Sequence, residues 1–172
     1  MATTKCRCRL YLTDFQWSSP LFLSELLSTE RVRVPLGSHS KADLLRELVR
    51  LAVGDADEKT IAGIVDAVED REAQVSTALG GGLAVPHGRT DLVLQVRLAA
   101  GIVNAVPDYV GLDGSPVRVA FLVLTPMAAS NEHVKLLSRI ARLMHDPASK
   151  EALLASKSAG DFLRVIHGAE AA

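Results

Sequence analysis

Apolar residues in the first half of the chain recur at the spacing of an α-helix. One predicted helix begins after Ser40, because Ser40 and Asp43 resemble a capping box, and it ends at Gly54. A second predicted helix begins near Asp57 and ends with Asp70-Arg71-Glu72. The apolar stripes of these two helices are Leu44, Leu45, Leu48, Val49 and Ala52, then Ile61, Ile64, Val65 and Val68.

The last third of the chain shows the same helical spacing, and a short helix is also predicted within residues 21–29. A helix is expected beyond Pro126, with Ser130 or Asn131 as its N-cap, and Pro147 opens another. The apolar stripe of the first is Val134, Leu137, Ile140, Ala141 and Met144, and the last helix holds Phe162, Leu163, Val165 and Ile166.

Strand patterns separate these helices. A short strand carries Val32 and Val34 and ends at Pro35, and residues 92–103 are rich in strand-forming residues. The β-branched apolar run Val117–Leu124 is typical of a central strand. Asp113-Gly114 signals a hairpin turn just before it, so neighbouring strands there are antiparallel.

This alternation of strands and helices predicts one α/β domain, with a mixed central β-sheet flanked by helices on both faces. We expect the domain to span residues 21–168. Residues 1–20 show no clear periodicity and form an N-terminal extension whose order the sequence leaves open, ordered only if Phe15 and Trp17 dock on the domain.

Composition excludes several classes of function. Hydrophobic residues make up 48% of the chain but aromatic residues only 4%, so the core is aliphatic. The formal net charge of −1 gives no general attraction to nucleic acid or to an anionic membrane. No run of about 18 apolar residues exists, so no membrane insertion is expected. Cys6 and Cys8 are the only cysteines, which gives no disulfide framework and fits the cytoplasm.

A glycine-rich stretch over residues 79–89 is the most distinctive part of the sequence. Three glycines lead into Leu83-Ala84-Val85, which is predicted to be a short buried strand, and Pro86-His87-Gly88 follows. His87 is therefore expected at the exit of a strand, where α/β sheets collect ligands. Taken alone, such a histidine is more often a loop residue with one hydrogen bond, and the glycine spacing fits no nucleotide-binding loop.

Two more side chains are candidates for chemistry. His133 lies in the first turn of a predicted helix, where the helix dipole disfavours an imidazolium, so we expect a neutral ring; a capping or core role is the alternative. Arg71 near the end of its helix is either a partner of the last carbonyl groups or a guanidinium that binds phosphate. The remaining histidines, His39, His145 and His167, are expected in solvent.

Together these residues resemble a known family. The motif consists of Arg71-Glu72, Ser76-Thr77, the run Gly80-x-Gly82-Leu83-Ala84-Val85-Pro86-His87-Gly88, and His133 heading an apolar helix. From about Leu23 to Ile166 the sequence resembles the IIA domain of the fructose/mannitol class (type 2) of the bacterial phosphotransferase system. The likeness is greatest to the stand-alone fructose-type and nitrogen-regulatory members. Ala78 and Gly81 depart from the family pattern, where Gly and Asn are usual.

The resemblance implies a role for each motif residue. His87 accepts a phosphoryl group from phospho-HPr or its paralogue and passes it to a cysteine on a IIB partner. His133 and Arg71 surround that group, His133 as a hydrogen-bond donor and Arg71 as a positive charge. The supporting loop comprises Ser76, Thr77, Gly80, Gly82, Pro86 and Gly88. No metal and no cofactor is implied.

Four functions remain open at this stage. The chain is a IIA component that feeds sugar uptake, a regulator that binds other proteins according to its phosphorylation, a binding module that has lost phosphotransfer, or a metal or hydrolytic site. Without fused IIB, IIC or HPr domains in this sequence, the regulator is favoured. The metal or hydrolytic site is disfavoured, because no carboxylate or cysteine in the motif completes a set with His87 and His133.

Overall fold

A computed structural model describes residues 21–171, which fold into six helices and six strands. The expectations for the N-terminal extension, including Phe15, Trp17 and both cysteines, lie outside the described residues. The elements in chain order are α1 Leu23–Leu26, β1 Val32–Leu36, α2 Lys41–Val53, α3 Glu58–Gln74, β2 Ala78–Gly80, β3 Leu83–Ala84, β4 His87–Arg89, β5 Arg97–Val110, β6 Pro116–Thr125, α4 Ser130–His145, α5 Pro147–Leu154 and α6 Ala159–Ala171.

The six strands form one mixed sheet in the order β1-β5-β6-β3-β2, and β4 also pairs with β6. Strand β6 pairs antiparallel with β5 and parallel with both β3 and β4. The predicted hairpin turn at Asp113-Gly114 joins β5 to β6, and the Asp113 carboxylate accepts the backbone N–H of Ser115 at 3.0 Å. The predicted mixed sheet with a central Val117–Leu124 strand is therefore confirmed.

Helices cover both faces of this sheet, as predicted. Side chains alternate along β6: Leu122 and Leu124 pack in the core beneath α2 and α3, whereas Phe121 and Val123 pack in the core beneath α4 and α6. All four side chains are fully buried. Both faces of β6 are thus apolar, which explains its continuous hydrophobic run.

Several predicted boundaries were wrong. Helix α3 continues two residues past Glu72, to Gln74. Strand β5 begins at Arg97 and extends to Val110, whereas residues 90–96 are mostly turns. Neither Ser130 nor Asn131 is the N-cap of α4, because the N-cap position is Ala129.

The predicted apolar stripe of α4 was also shifted by about one position. Val134 is 63% exposed, and Ala141 is exposed too. The buried face of α4 is His133, Leu136, Ile140, Leu143 and Met144. His133 thus lies on the face that packs against the sheet, as predicted. In the described part of the chain no helix is long and apolar enough to cross a membrane.

Candidate functional site

His87 begins strand β4 and does not lie beyond a strand end, as the sequence had predicted. Parallel pairing with β6 resumes directly after Pro86, because the Pro86 carbonyl accepts the backbone N–H of Val123 at 3.0 Å. His87 then lies beside Val123 in the register of the two strands. The half-buried imidazole is consequently held on the edge of a rigid sheet.

One hydrogen bond determines which nitrogen of His87 is available. Its Nδ1 lies 2.8 Å from the carbonyl oxygen of Val85. A carbonyl oxygen only accepts hydrogen bonds, so Nδ1 carries the proton in the neutral ring. The lone pair of the neutral imidazole is therefore on Nε2, which is the nitrogen that can attack an electrophile.

His133 meets His87 across a shared cavity. The two ring centroids are 5.1 Å apart, with the rings inclined at 63°. His133 projects from the first turn of α4 and is only 9% exposed. Its Nδ1 lies 2.9 Å from the hydroxyl of the buried Thr125 at the end of β6. The structure thus brings together two histidines that are far apart in the sequence.

Both imidazoles are held in the neutral form. Burial lowers the pKa of His87 below 6.5, and the positive charge of Arg71 lowers it further, against the opposing effects of the Val85 hydrogen bond and of Glu72. Burial lowers the pKa of His133 to about 4, with smaller contributions from His87, Arg89 and Arg71. Near neutral pH both rings are therefore uncharged, as expected for His133 from its place in the helix.

Arg71 satisfies both of the roles considered for it. Its Nη1 donates to the carbonyl oxygen of Val75 at 3.0 Å, just past the end of α3. Its side chain also lines the cavity of about 340 Å³ that holds both histidines. The full lining is Ala67, Asp70, Arg71, Gln74, His87, Gly88, Arg89 and His133.

Arg89 is a second guanidinium at the site that the sequence analysis missed. It donates to the carbonyl oxygen of Met127 and, at 2.7 Å, to the hydroxyl of Ser130. These bonds tie strand β4 to the start of α4, and hence His87 to the helix that carries His133. Alternation along a strand puts residues 87 and 89 on one face, and this was the signal available in the sequence.

The predicted Ser76-Thr77 pair supports His87 from a distance. The Glu72 carboxylate accepts the backbone N–H of Thr77 at 2.9 Å and also accepts its hydroxyl. The Thr77 carbonyl accepts the N–H of Val85, whose own carbonyl accepts from His87. A continuous series of hydrogen bonds therefore connects the buried Glu72 to the imidazole. Ser76 makes only a local contact, accepting the N–H of Ala78 at 3.3 Å.

Glu72 is the centre of a buried polar cluster. Lys41 Nζ lies 2.9 Å from its carboxylate, and the Tyr109 hydroxyl donates to it at 3.2 Å. Burial alone raises the pKa of Glu72, but hydrogen bonds from Thr77 and Lys41 outweigh it, so the pKa lies below 4.5. Burial also raises the pKa of Tyr109 above its ordinary value. Glu72 is thus a buried carboxylate that joins α2, α3, β2 and β5.

The glycine turn does not lie at His87. Gly80 and Gly82 have positive φ angles of 110° and 78° in the turn between β2 and β3. There the Gly81 N–H donates to Asp113 at 2.6 Å. Leu83 is level with Val119 of β6, but His87 is level with Val123. Four strand residues correspond to about 13 Å, so these glycines shape the opposite end of the sheet.

Gly88 has a different role from the one expected. It was interpreted as leaving His87 unshielded, but it is buried against α3. A Cβ at this position would lie 3.0 Å from Cγ2 of Val68. Gly88 therefore allows β4 and α3 to pack closely, which brings Arg71 to the cavity. Within residues 21–171 no three histidine, cysteine or carboxylate side chains group as metal ligands would.

We expect the free energy of unfolding to decrease as the pH falls from about 6.5 towards about 4. The folded protein holds the pKa of His133 at about 4, whereas the ordinary value is 6.5. Between these values the unfolded chain binds more protons, so acid favours unfolding. Urea denaturation of the parent and His133→Gln at several pH values measures this, and the variant should lose less stability on acidification. Equal losses would contradict the assignment.

Comparisons with known proteins agree with the fold and the motif. A family model described as "Phosphoenolpyruvate-dependent sugar phosphotransferase system, EIIA 2" matches residues 25–168. A nitrogen regulatory protein of Bradyrhizobium diazoefficiens is 31% identical over 144 residues, which cover 84% of this chain and 94% of that protein. The crystal structure of the nitrogen regulatory protein IIA-Ntr from Neisseria meningitidis matches with a TM-score of 0.74 and 28% identity, over 83% of this chain and 97% of that one.

A larger relative matches over only part of its length. The fructose-specific EIIABC component of the phosphotransferase system in Bacillus subtilis is 28% identical over 145 residues, or 84% of this chain. The match spans 23% of that protein. The similarity therefore concerns one part of a multi-component relative.

Proposed function

The chain belongs to the EIIA 2 family of the phosphoenolpyruvate-dependent sugar phosphotransferase system, and we propose that it is a phosphohistidine carrier charged on His87. Phospho-HPr or a paralogue is the donor, and the reaction takes place in the cytoplasm. Residues 21–168 form the phosphocarrier domain. The observation that carries this proposal is the Nδ1 hydrogen bond of His87 to Val85, which leaves Nε2 as a free nucleophile facing His133.

The transfer is a displacement at phosphorus. The Nε2 lone pair of His87 forms the new N–P bond while the bond from phosphorus to the donor nitrogen breaks, and its electron pair returns to the donor. No proton has to move in this step, because Nδ1 keeps its hydrogen. The ring gains positive character as Nε2 is phosphorylated, and the Val85 carbonyl stabilises that charge through the existing hydrogen bond.

The surrounding groups stabilise the charge on the phosphoryl oxygens. Phosphoryl transfer has a loose transition state with negative charge spread over three oxygens, so positioning and electrostatics dominate catalysis. Arg71 supplies a fixed positive charge at the cavity wall, and the neutral His133 supplies a hydrogen-bond donor. The lowered pKa of His87 keeps it unprotonated and nucleophilic at neutral pH.

We expect His133→Ala to leave the fold intact and to slow phosphoryl transfer at least about tenfold. One hydrogen bond to a charged group is worth about 1.5–3 kcal/mol, and about 1.4 kcal/mol corresponds to a factor of ten. Rapid-quench transfer from phospho-HPr measures the rate, and thermal denaturation checks the fold. A normal transfer rate in a folded variant would restrict His133 to a structural role.

For the biological output we propose the nitrogen-regulatory type, in which phosphorylation controls binding to a regulatory target protein. The match to the Bradyrhizobium nitrogen regulatory protein along 94% of that protein supports this choice. The alternative is a fructose- or mannitol-type IIA component that passes the group to a cysteine of a separate IIB, and the Bacillus fructose-specific relative supports it. Incubating the phosphorylated protein with candidate IIB proteins discriminates the two, since only a transport component discharges rapidly.

Intact mass after incubation with phosphoenolpyruvate, enzyme I and HPr tests the carrier function itself. We expect the gain of one acid-labile phosphoryl group. No gain, with enzyme I and HPr shown to be active on another IIA protein, would leave a binding module that has lost phosphotransfer.

A further inference from the structure

Thr125 is a buried polar residue at the end of an apolar strand. It is the last residue of β6 and is fully buried. Its backbone is anchored by the parallel register with Arg89 and by its carbonyl, which accepts the N–H of Thr90 at 2.9 Å. The strand therefore holds the Thr125 side chain in one place beneath α4.

Its hydroxyl has a single partner. Oγ1 of Thr125 lies 2.9 Å from Nδ1 of His133, and no other side-chain hydrogen bond of Thr125 is formed within residues 21–171. A hydroxyl carries one proton to donate, and a buried donor without an acceptor is unfavourable. The acceptor that the structure offers this proton is the lone pair of His133 Nδ1.

The neutral His133 ring has one protonated nitrogen, so the direction of this bond determines its tautomer. If Nδ1 carried the proton and donated to Oγ1, the hydroxyl proton would be buried without an acceptor. If Thr125 donates, Nδ1 is the acceptor and Nε2 carries the hydrogen. The second arrangement satisfies both groups with one bond.

We infer that Thr125 is a positioning residue, which holds His133 as the Nε2–H tautomer so that it donates to the phosphoryl group on His87. The effect on transfer rests on the proposed function, whereas the tautomer of the resting protein does not. Without this tautomer, His133 would present a lone pair to the negatively charged phosphoryl oxygens, and the contact would be repulsive.

The matched variants are Thr125→Val, which replaces the hydroxyl with a methyl group of similar size, and Thr125→Ser, which keeps the hydroxyl. Long-range ¹H–¹⁵N spectra of the unphosphorylated protein near neutral pH report the tautomer directly. We expect His133 to show Nε2–H alone in the parent and in Thr125→Ser, and a mixture of tautomers in Thr125→Val. Thr90→Val, which removes a hydroxyl from the same end of the sheet, is the control and should leave the His133 signals unchanged.

Transfer kinetics add a readout that a merely structural role would not produce. Thr125→Val should slow transfer from phospho-HPr about tenfold, Thr125→Ser should restore the rate, and Thr125→Val should have no further effect in a His133→Ala background. A protonated Nδ1 on His133 in the parent, or identical His133 signals in the parent and Thr125→Val, would overturn the inference. Failure of the parent to accept phosphate would refute the proposed function instead, since the tautomer measurement requires no phosphorylation.

Discussion

His87→Gln should abolish phosphoryl acceptance, lowering the rate from phospho-HPr by at least about a thousandfold, which corresponds to about 4 kcal/mol of activation free energy. The glutamine amide fills a similar space, but its nitrogen lone pair is delocalised and is not a nucleophile. The residual donors around the cavity, Arg71 and His133, have no phosphoryl group to stabilise once the nucleophile is lost. Transfer of label from phosphoenolpyruvate through enzyme I and HPr measures the effect.

The matched control is His145→Gln, because His145 is exposed at the far end of α4, away from the cavity. It should accept phosphate at the parental rate. Circular dichroism and thermal denaturation of both variants establish that they are folded. If folded His87→Gln accepts phosphate as well as the parent does, another residue is the acceptor and the proposed mechanism is wrong.

Glu72→Ala should lower the free energy of unfolding by about 2–4 kcal/mol. Removing one member of a buried, hydrogen-bonded charge cluster leaves its partners without their acceptor. Here the groups that lose it are Lys41, the Tyr109 hydroxyl, and both the N–H and the hydroxyl of Thr77. Urea denaturation at neutral pH measures the loss.

Glu69→Ala is the control for this effect, since Glu69 lies one turn earlier on α3 and is exposed. Its expected change is within about 0.5 kcal/mol, as for most surface substitutions. The stabilisation by Glu72 is also pH-dependent: because folding lowers its pKa below 4.5, the contribution is present above pH 4.5 and is lost as the pH falls towards the lower value. Equal stability of the two variants at neutral pH would show that the cluster is not stabilising.

The sequence predicted most of the sheet and the two histidines, and physical reasons separate these successes from the errors. Strand β6 is apolar on both faces and is flanked by a turn signal, so its central position was clear. The stripe of α4 was misplaced because Leu136 and Leu137, like Leu143 and Met144, are adjacent apolar residues. Either choice gives helical spacing, and only packing on the sheet exposes Val134.

The supporting residues of the site were harder to predict because their roles depend on tertiary contacts. Arg89 is an ordinary charged residue until β4 pairs with β6 and brings it to Ser130. Glu72 was recognised only as part of a motif, and its burial depends on Lys41 and Tyr109, which are distant in sequence. The glycines were grouped with His87 because they are close in sequence, but the intervening strand carries His87 to the other end of the sheet.

The central claim is that Nε2 of His87 accepts the phosphoryl group. The most direct test is an NMR measurement on the protein labelled with ¹⁵N in histidine and phosphorylated through enzyme I and HPr. Our account predicts phosphorus coupling to Nε2 of His87, with the Nδ1 proton retained in its bond to Val85. Coupling to Nδ1, or phosphorus on any other histidine, would contradict it.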